Sequence, residues 1–394
     1  MFFKHRYILI FLIFLALPLL ELYLWVHCLA TGIGNNSYVL EPKKTIYRLS
    51  YFPNQKSTKS LLFRTNALGL RGKDIKPNEN LLLFVGGSTT LCYALDDSET
   101  WPAQVAQSLA SSGLKNKHLN PLIAARGGFL SHHYALVVEK ILPNLQRSAN
   151  RVLALFILPG ANELESWCLN VQYPNLTPEI ITSSAFSITP LLHNRVPIWF
   201  YRPSIKNTLF YHYARNLGNN ILSGLHLQEG CSTTEHTTEE LQEYRARAVK
   251  IRPDEAKIKL LEQYKNVYRD NLIRIAKIAE QYGIPVYFIS QPILYNKNLS
   301  PALLRLWTNG AVNQSYHTPN DHTKYYTEES MYDALSQFNQ ITLEVAQNTH
   351  SHFIDAASLL RDDTDLYIDQ WHFNPYGGKH FGSLIATQVI RDFQ

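Results

Sequence analysis

Short apolar runs rich in β-branched and aromatic residues recur between longer amphipathic stretches through most of this chain. A run of four to eight such residues closed by a turn signal reads as a buried strand. A helical pattern between consecutive strands then calls for a parallel sheet with helices on its faces. The strand candidates are Leu81–Val85, Leu122–Ala125, Val152–Leu158, Pro285–Ser290 and Phe353–Asp355. The clearest helix is predicted from Ile258 to Tyr282, where Leu261, Tyr264, Tyr268, Leu272, Ile275 and Ala279 fall three or four apart before Gly283 and Pro285 stop it. A second, from Met331 to about Asn348, repeats the pattern with Leu335, Phe338, Ile341 and Val345. Five strands with their covering helices predict a three-layer α/β/α domain built on a doubly wound parallel five-stranded sheet, with ligands bound at the carboxyl ends of the strands.

Composition narrows the function classes. At 45% hydrophobic and 18% charged residues over 394 positions, the chain is too apolar to be mostly disordered. Thirty-seven Lys and Arg against 32 Asp and Glu leave a charge of +5, too thin at this length for a nucleic-acid surface. The four cysteines include no C-x-x-C pair, and no H-E-x-x-H occurs, so neither a metal nor another cofactor is expected. In an oxidising compartment Cys168 and Cys231 are equally compatible with a disulfide and with two separate buried thiols.

The apolar residues are also concentrated at one end. Tyr7 to Val26 reads YILIFLIFLALPLLELYLWV, with Glu21 its one ionisable carboxyl. As a helix it would reach roughly 30 Å, the thickness of a bilayer's hydrocarbon core. Lys4, His5 and Arg6 precede it and would keep the N-terminus cytoplasmic. A cleaved signal peptide is the alternative, although the run is longer than usual and no clean A-x-A follows it. The expected organisation is a cytoplasmic tip (1–6), a transmembrane anchor (7–27), a connector (28–75) and the α/β domain (76–394). Insertions at about 163–257 and 299–330 are expected beside the active edge. The first contains the aromatic clusters Trp199, Phe200, Tyr201 and Phe210, Tyr211, Tyr213.

Two motifs carry chemistry. Leu81 to Thr90 reads LLLFVGGSTT, a buried strand, a Gly-Gly turn and a hydroxyl where a helix should start. Gly86 and Gly87 are expected to turn the backbone sharply and leave room beside the Ser88 oxygen. No Lys follows as in a P-loop, and a third Gly of a dinucleotide fingerprint is missing. Near the other end, LYIDQWHFNPYGG places Asp369 and His372 three residues apart before an Asn374-Pro375 helix start. If both lie on one helical turn, the carboxylate can accept the Nδ1 proton of the imidazole and leave Nε2 free as a base. A nucleophilic hydroxyl needs such a base, and the base needs an orienting acid.

Taken in order, these residues resemble the SGNH or GDSL hydrolases. The resemblance rests on Ser88 in GGST, Gly128 in AARGGFLS, Asn162 in LPGANE, and Asp369 with His372 in DQWH, each after a strand drawn above. It implies a flavodoxin-like sheet, Ser88 as nucleophile, His372 as base and then acid, and Asp369 as its orienting partner. It also implies an oxyanion hole from the Ser88 and Gly128 backbone N–H groups and the Asn162 amide. FRTNALGLRG (Phe63–Gly72) looks like a lead-in found in membrane-anchored members. The expected protein is a bacterial inner-membrane, single-pass serine esterase or acylhydrolase with its catalytic domain in the periplasm, cleaving acyl or acetyl esters of a cell-envelope glycan or lipid. An O-acyltransferase using the same triad on an extracytoplasmic polysaccharide, and a non-catalytic glycan-binding protein, are the alternatives. Protein partners and oligomeric state are not indicated.

Overall fold

The computed structural model describes residues 19–20, 22–23, 39–40, 45–52, 57–112, 118–147, 150–170, 173–176, 181, 192–193, 196–197, 238–292, 306–313, 319–360 and 363–392. Two compact units divide the chain, Met1–Tyr38 with Phe186–Ser232 and Val39–Ala185 with Thr233–Gln394. In the first, the described residues are short helical pieces at 19–20 and 22–23 and an antiparallel pairing of Leu192–His193 with Val196–Pro197. Apart from those helical pieces, the Tyr7–Val26 run lies outside the described residues, as do both aromatic clusters and Cys231. Among the described residues no helix is long and apolar enough to cross a membrane. Cys168 is a buried free thiol whose Sγ lies 3.3 Å from the Met331 sulfur.

The second unit contains a five-stranded, all-parallel sheet. Following an antiparallel pair of strands, β1 (Thr45–Phe52) and β2 (Ser57–Arg64), its members are β3 (Asn80–Gly86), β4 (Leu119–Ala125), β5 (Arg151–Leu158), β6 (Val286–Ile289) and β7 (His352–Ile354). The spatial order β7-β6-β5-β3-β4 makes the chain wind first to one side of β3 and then to the other. Such a reversal opens a crevice at the carboxyl ends of β3 and β5. Every strand candidate read from the sequence overlaps one of these five.

The helices of this unit are α1 (Ser88–Leu91), α2 (Trp101–Ser111), α3 (Ser131–Arg147), α4 (Ala161–Cys168), α5 (Thr238–Arg247), α6 (Glu255–Gln281), α7 (Glu328–Asn348), α8 (Ala356–Leu359) and α9 (Pro375–Asp392). α2 packs on α9 along one face of the sheet, while α3, α6 and α7 pack together on the other. Because side chains alternate along a strand, each strand feeds both layers. Leu82 and Phe84, Ala154 and Phe156, and Tyr287 and Ile289 point into the α2/α9 core together with Trp101, Phe381 and Ile385. At one register an aromatic ladder crosses four strands, with Phe84 stacked on Phe156 (4.6 Å), Phe156 on Tyr287 (5.1 Å) and Tyr287 on His352 (4.4 Å). Such stacked pairs add about 0.5–1.5 kcal/mol each beyond their burial.

α6 and α7 each begin one turn before the sequence periodicity starts. Asp254 accepts from the Lys257 N–H and Thr327 from the Ser330 N–H, capping first turns that are mainly polar.

Within the stretch read as a connector, β1 and β2 pair over their full length, and the chain then crosses to the edge of the sheet. There Arg71 and Ile123 of β4 exchange both backbone hydrogen bonds at 3.0 Å. The two insertions meet each other: Lys250–Ile251 pairs in parallel with Tyr325–Tyr326. Buried Arg245 also donates to Asn309 O and to Glu328. The segment 306–311 is buried, with Trp307 1% exposed, and Thr308 N donates to the Gln370 side chain beside Asp369. Leu306 of that segment joins the same core as Phe84, Trp101 and Phe156.

Candidate active site

Ser88 stands two residues beyond β3, as the first residue of the one-turn helix α1. Both glycines before it are needed, but for a different reason from the one the sequence suggested. Neither has a positive φ, and Gly87 sits at φ −89°. What each lacks is space: a Cβ at Gly86 would collide with the Thr90 hydroxyl, and one at Gly87 with the Asn162 amide nitrogen. The glycines thus let the chain carrying the hydroxyl press against β5 and its following turn. A Gly87→Ala variant is expected to push the Asn162 amide aside while leaving Ser88 and His372 in place. The expected loss in kcat is about 100-fold, comparable to removing one oxyanion donor, with thermal unfolding as the check on folding.

The structure brings Ser88, His372 and Asp369 into one hydrogen-bonded chain. His372 Nε2 lies 2.8 Å from Ser88 Oγ, and His372 Nδ1 lies 2.6 Å from Asp369 Oδ2. The expected helical turn is not what supports this pair. Residues 368–372 form a bend closed by a Tyr367–Phe373 bridge and by Ile368 N donating to His372 O at 2.7 Å. The physical reason is local competition: Asp369 Oδ1 accepts from the Trp371 N–H (3.0 Å) and the His372 N–H (2.9 Å), a side-chain turn that diverts those donors from a helical ladder. The helix begins only at Pro375, whose missing N–H costs nothing at that position, and Asn374 Oδ1 caps it by accepting from the Gly377 N–H.

Burial works to raise the Asp369 carboxyl's pKa, but His372 and the two backbone donors outweigh it and hold the group below its ordinary range. Asp369 and His372 keep 15% and 13% of their side chains exposed, so the relay is sheltered but reachable. Exposed Tyr93, just past α1, meets the His372 ring edge to face at 5.3 Å.

Gly128 and Asn162 follow β4 and β5 at the same edge of the sheet. Gly128 is exposed with φ +77°, a conformation that favours glycine. The Asn162 amide donates to Phe129 O at 2.7 Å, and Tyr134 Oη donates to the same carbonyl at 2.9 Å, tying the Gly128 loop to the turn after β5. An amide has two N–H bonds, and Phe129 O takes one of them. Just beyond that loop, burial lowers His132 to about 4 and His133 to about 3, which keeps both rings neutral at physiological pH.

Glu163 is the residue that sequence reasoning passed over. It is fully buried, and its carboxyl accepts from the Ser131 N–H (2.5 Å) at the start of α3 and from the Gly160 N–H (3.2 Å) at the start of α4. It therefore locks together the two turns that carry Gly128 and Asn162. Its place three residues after the helix-capping glycine, the spacing of a capping box, is the signal that could have found it.

Burial pushes Glu163 up to about 7, only partly opposed by those N–H donors. The folded state thus favours its neutral form. That contribution to stability is complete below about 4.5 and is lost as pH rises through about 7, a span worth about 3 kcal/mol. Glu163→Gln removes this dependence. Between pH 4.5 and 7.5 the wild type is expected to lose that stability relative to the variant in denaturant titrations, the other titrating groups being common to both.

No protein-family model matches the chain, and no curated protein matches its sequence. Similarities to solved structures are distant. Axe2, an acetylxylan esterase from Geobacillus stearothermophilus, is 11% identical with a TM-score of 0.37, covering 80% of this chain and 95% of that one. TesA is 11% identical with a TM-score of 0.39, covering 78% and 97%. A GDSL-like lipase from Bacteroides thetaiotaomicron is 10% identical with a TM-score of 0.35, covering 80% and 89%. At such distances the chemistry has to be read from this chain's own side chains.

Proposed function

We propose that this chain is a serine esterase or acylhydrolase of the SGNH type. The observation that carries the reading is the continuous Ser88–His372–Asp369 hydrogen-bonded chain at the carboxyl edge of a doubly wound sheet. His372 Nε2 takes the Ser88 proton as Oγ bonds to the ester carbonyl carbon. Asp369 keeps the Nδ1 proton in place and stabilises the imidazolium. The resulting oxyanion is met by the Ser88 N–H, which has no partner within α1, by the Gly128 N–H and by the Asn162 amide. As the carbonyl re-forms, the C–O bond to the alcohol breaks and the alcohol leaves with the proton from His372. Water then attacks the acyl-serine, giving its proton to His372, which passes it to Ser88 Oγ as the Oγ–acyl bond breaks and the acid is released.

The substrate we propose is an acylated or acetylated glycan or lipid of a cell envelope. Exposed Tyr93 against His372 supports this by setting an aromatic ring beside the base. The Tyr7–Val26 run, preceded by Lys4, His5 and Arg6, supports a membrane anchor with the second unit outside the cytoplasm. The test is turnover of p-nitrophenyl acetate and longer acyl esters by the purified protein, together with stoichiometric labelling by a serine-directed phosphonate. Turnover with the label mapped to Ser88 is the expected result. Absence of both would leave a non-catalytic binding protein.

A further inference from the structure

The motif FRTNALGLRG precedes every strand of the parallel sheet, and the reaction sequence above uses none of it. Its Arg71 is 1% exposed, a burial that a guanidinium tolerates only when its donors are matched. They are matched almost entirely by one short stretch of chain. Nη1 donates to Leu91 O (2.6 Å) and Cys92 O (2.7 Å), Nη2 donates to Leu95 O (2.6 Å), and Nε donates to Asp97 Oδ1 (3.0 Å). The Phe63 ring lies against the guanidinium carbon at 4.4 Å.

That stretch begins with the last turn of α1, the helix whose first residue is Ser88. A single helical turn is not stable by itself, since it fixes several residues for very few hydrogen bonds. Here its end is also irregular, because Cys92 adopts a left-handed conformation with φ 53°. The Cys92 N–H donates to Ser88 O at 2.9 Å, so the peptide held by Arg71 is one hydrogen bond from the nucleophile's own carbonyl. Arg71 is itself fixed, its backbone paired with Ile123 at the β4 edge. The neighbouring strand helps: Leu62 N donates to Asp96 Oδ2, and Arg64 Nε pairs with Asp97 Oδ2 at 2.9 Å.

We propose that Arg71 is a positioning residue for the reaction at Ser88, setting the height and tilt of α1 from a strap outside the α/β layers so that Oγ meets His372 Nε2 in line. This rests on the serine-esterase reading. A lysine cannot replace Arg71, because its single ammonium cannot reach three carbonyls and a carboxylate in one plane.

The test uses the full chain and two readouts that a purely structural role would not move: the rate of phosphonate labelling at Ser88 per folded molecule, and the separate values of kcat and KM for p-nitrophenyl acetate. In Arg71→Lys both labelling and kcat are expected to fall about 10- to 100-fold with KM little changed, the size of effect that a small misplacement produces. Methylguanidine, and not methylamine, should restore part of the labelling rate in Arg71→Ala. Where those variants are unstable, Asp97→Asn, which keeps the three carbonyl contacts of Arg71 and removes the charge its Nε shares with Arg64 Nε, should slow labelling several-fold. Wild-type labelling rates in the folded variants, or a loss that merely follows the unfolded fraction, would overturn the proposal. A wild-type protein that neither turns over esters nor labels at Ser88 would instead remove the esterase reading beneath it.

Discussion

Ser88→Ala is expected to lower kcat for an activated ester by on the order of 10⁶-fold, the size of loss seen when a triad nucleophile is removed. The geometry explains why so much depends on one oxygen. His372 Nε2 is 2.8 Å from Oγ, so the base takes its proton from that one hydroxyl, and without it water would have to be activated at a site shaped for a serine. The relay acts as a unit, so Ser88→Ala combined with His372→Ala should lose hardly more than either alone. Steady-state rates of the two single variants and the double variant check this. Strict additivity of the losses would show that the two side chains act independently.

Asp369→Asn is expected to lower kcat by about 10⁴-fold with the backbone unchanged. The reason lies in the carboxylate's two ends. Oδ1 accepts from two backbone N–H groups, at Trp371 and His372, so an asparagine must present its carbonyl oxygen there. Its NH₂ then faces His372 Nδ1, which has to become an acceptor. The imidazole proton is thereby driven to Nε2, where it points at Ser88 and can no longer be a vacancy for the serine's proton. Thermal unfolding together with kcat separates this tautomer effect from a folding defect. The depressed pKa of Asp369 also has a sign: its stabilising contribution is present above the ordinary carboxylate range and is lost as pH falls through its folded value.

Much of the architecture was legible because it depends on apolar spacing. All five sheet strands coincide with runs whose alternate side chains enter the two helical layers. α6 and α7 start ahead of Ile258 and Met331, where the periodicity begins, because periodicity becomes visible only with buried side chains and the first turns are mainly polar. The site residues were legible as chemical types in order. What local sequence did not disclose was the support beneath them. The Asp369–His372 bend is set by a side chain competing for backbone donors, and Gly86 and Gly87 by contacts with Thr90 and Asn162. Glu163 joins turns that are distant in sequence, and so does the guanidinium of Arg71. Contacts of this kind leave no periodic trace.

Ser88 and His372 touch across 284 positions of sequence. Emerging from a ribosome, the chain delivers its strap before its nucleophile, and its base 284 positions after the nucleophile. Until the segment carrying His372 returns to the crevice, Ser88 is an ordinary alcohol. On the esterase reading, reactivity at Ser88 therefore reports that the two segments have met: a product stalled before His372 carries the serine without its base, and the appearance of phosphonate labelling would time that closing step of folding.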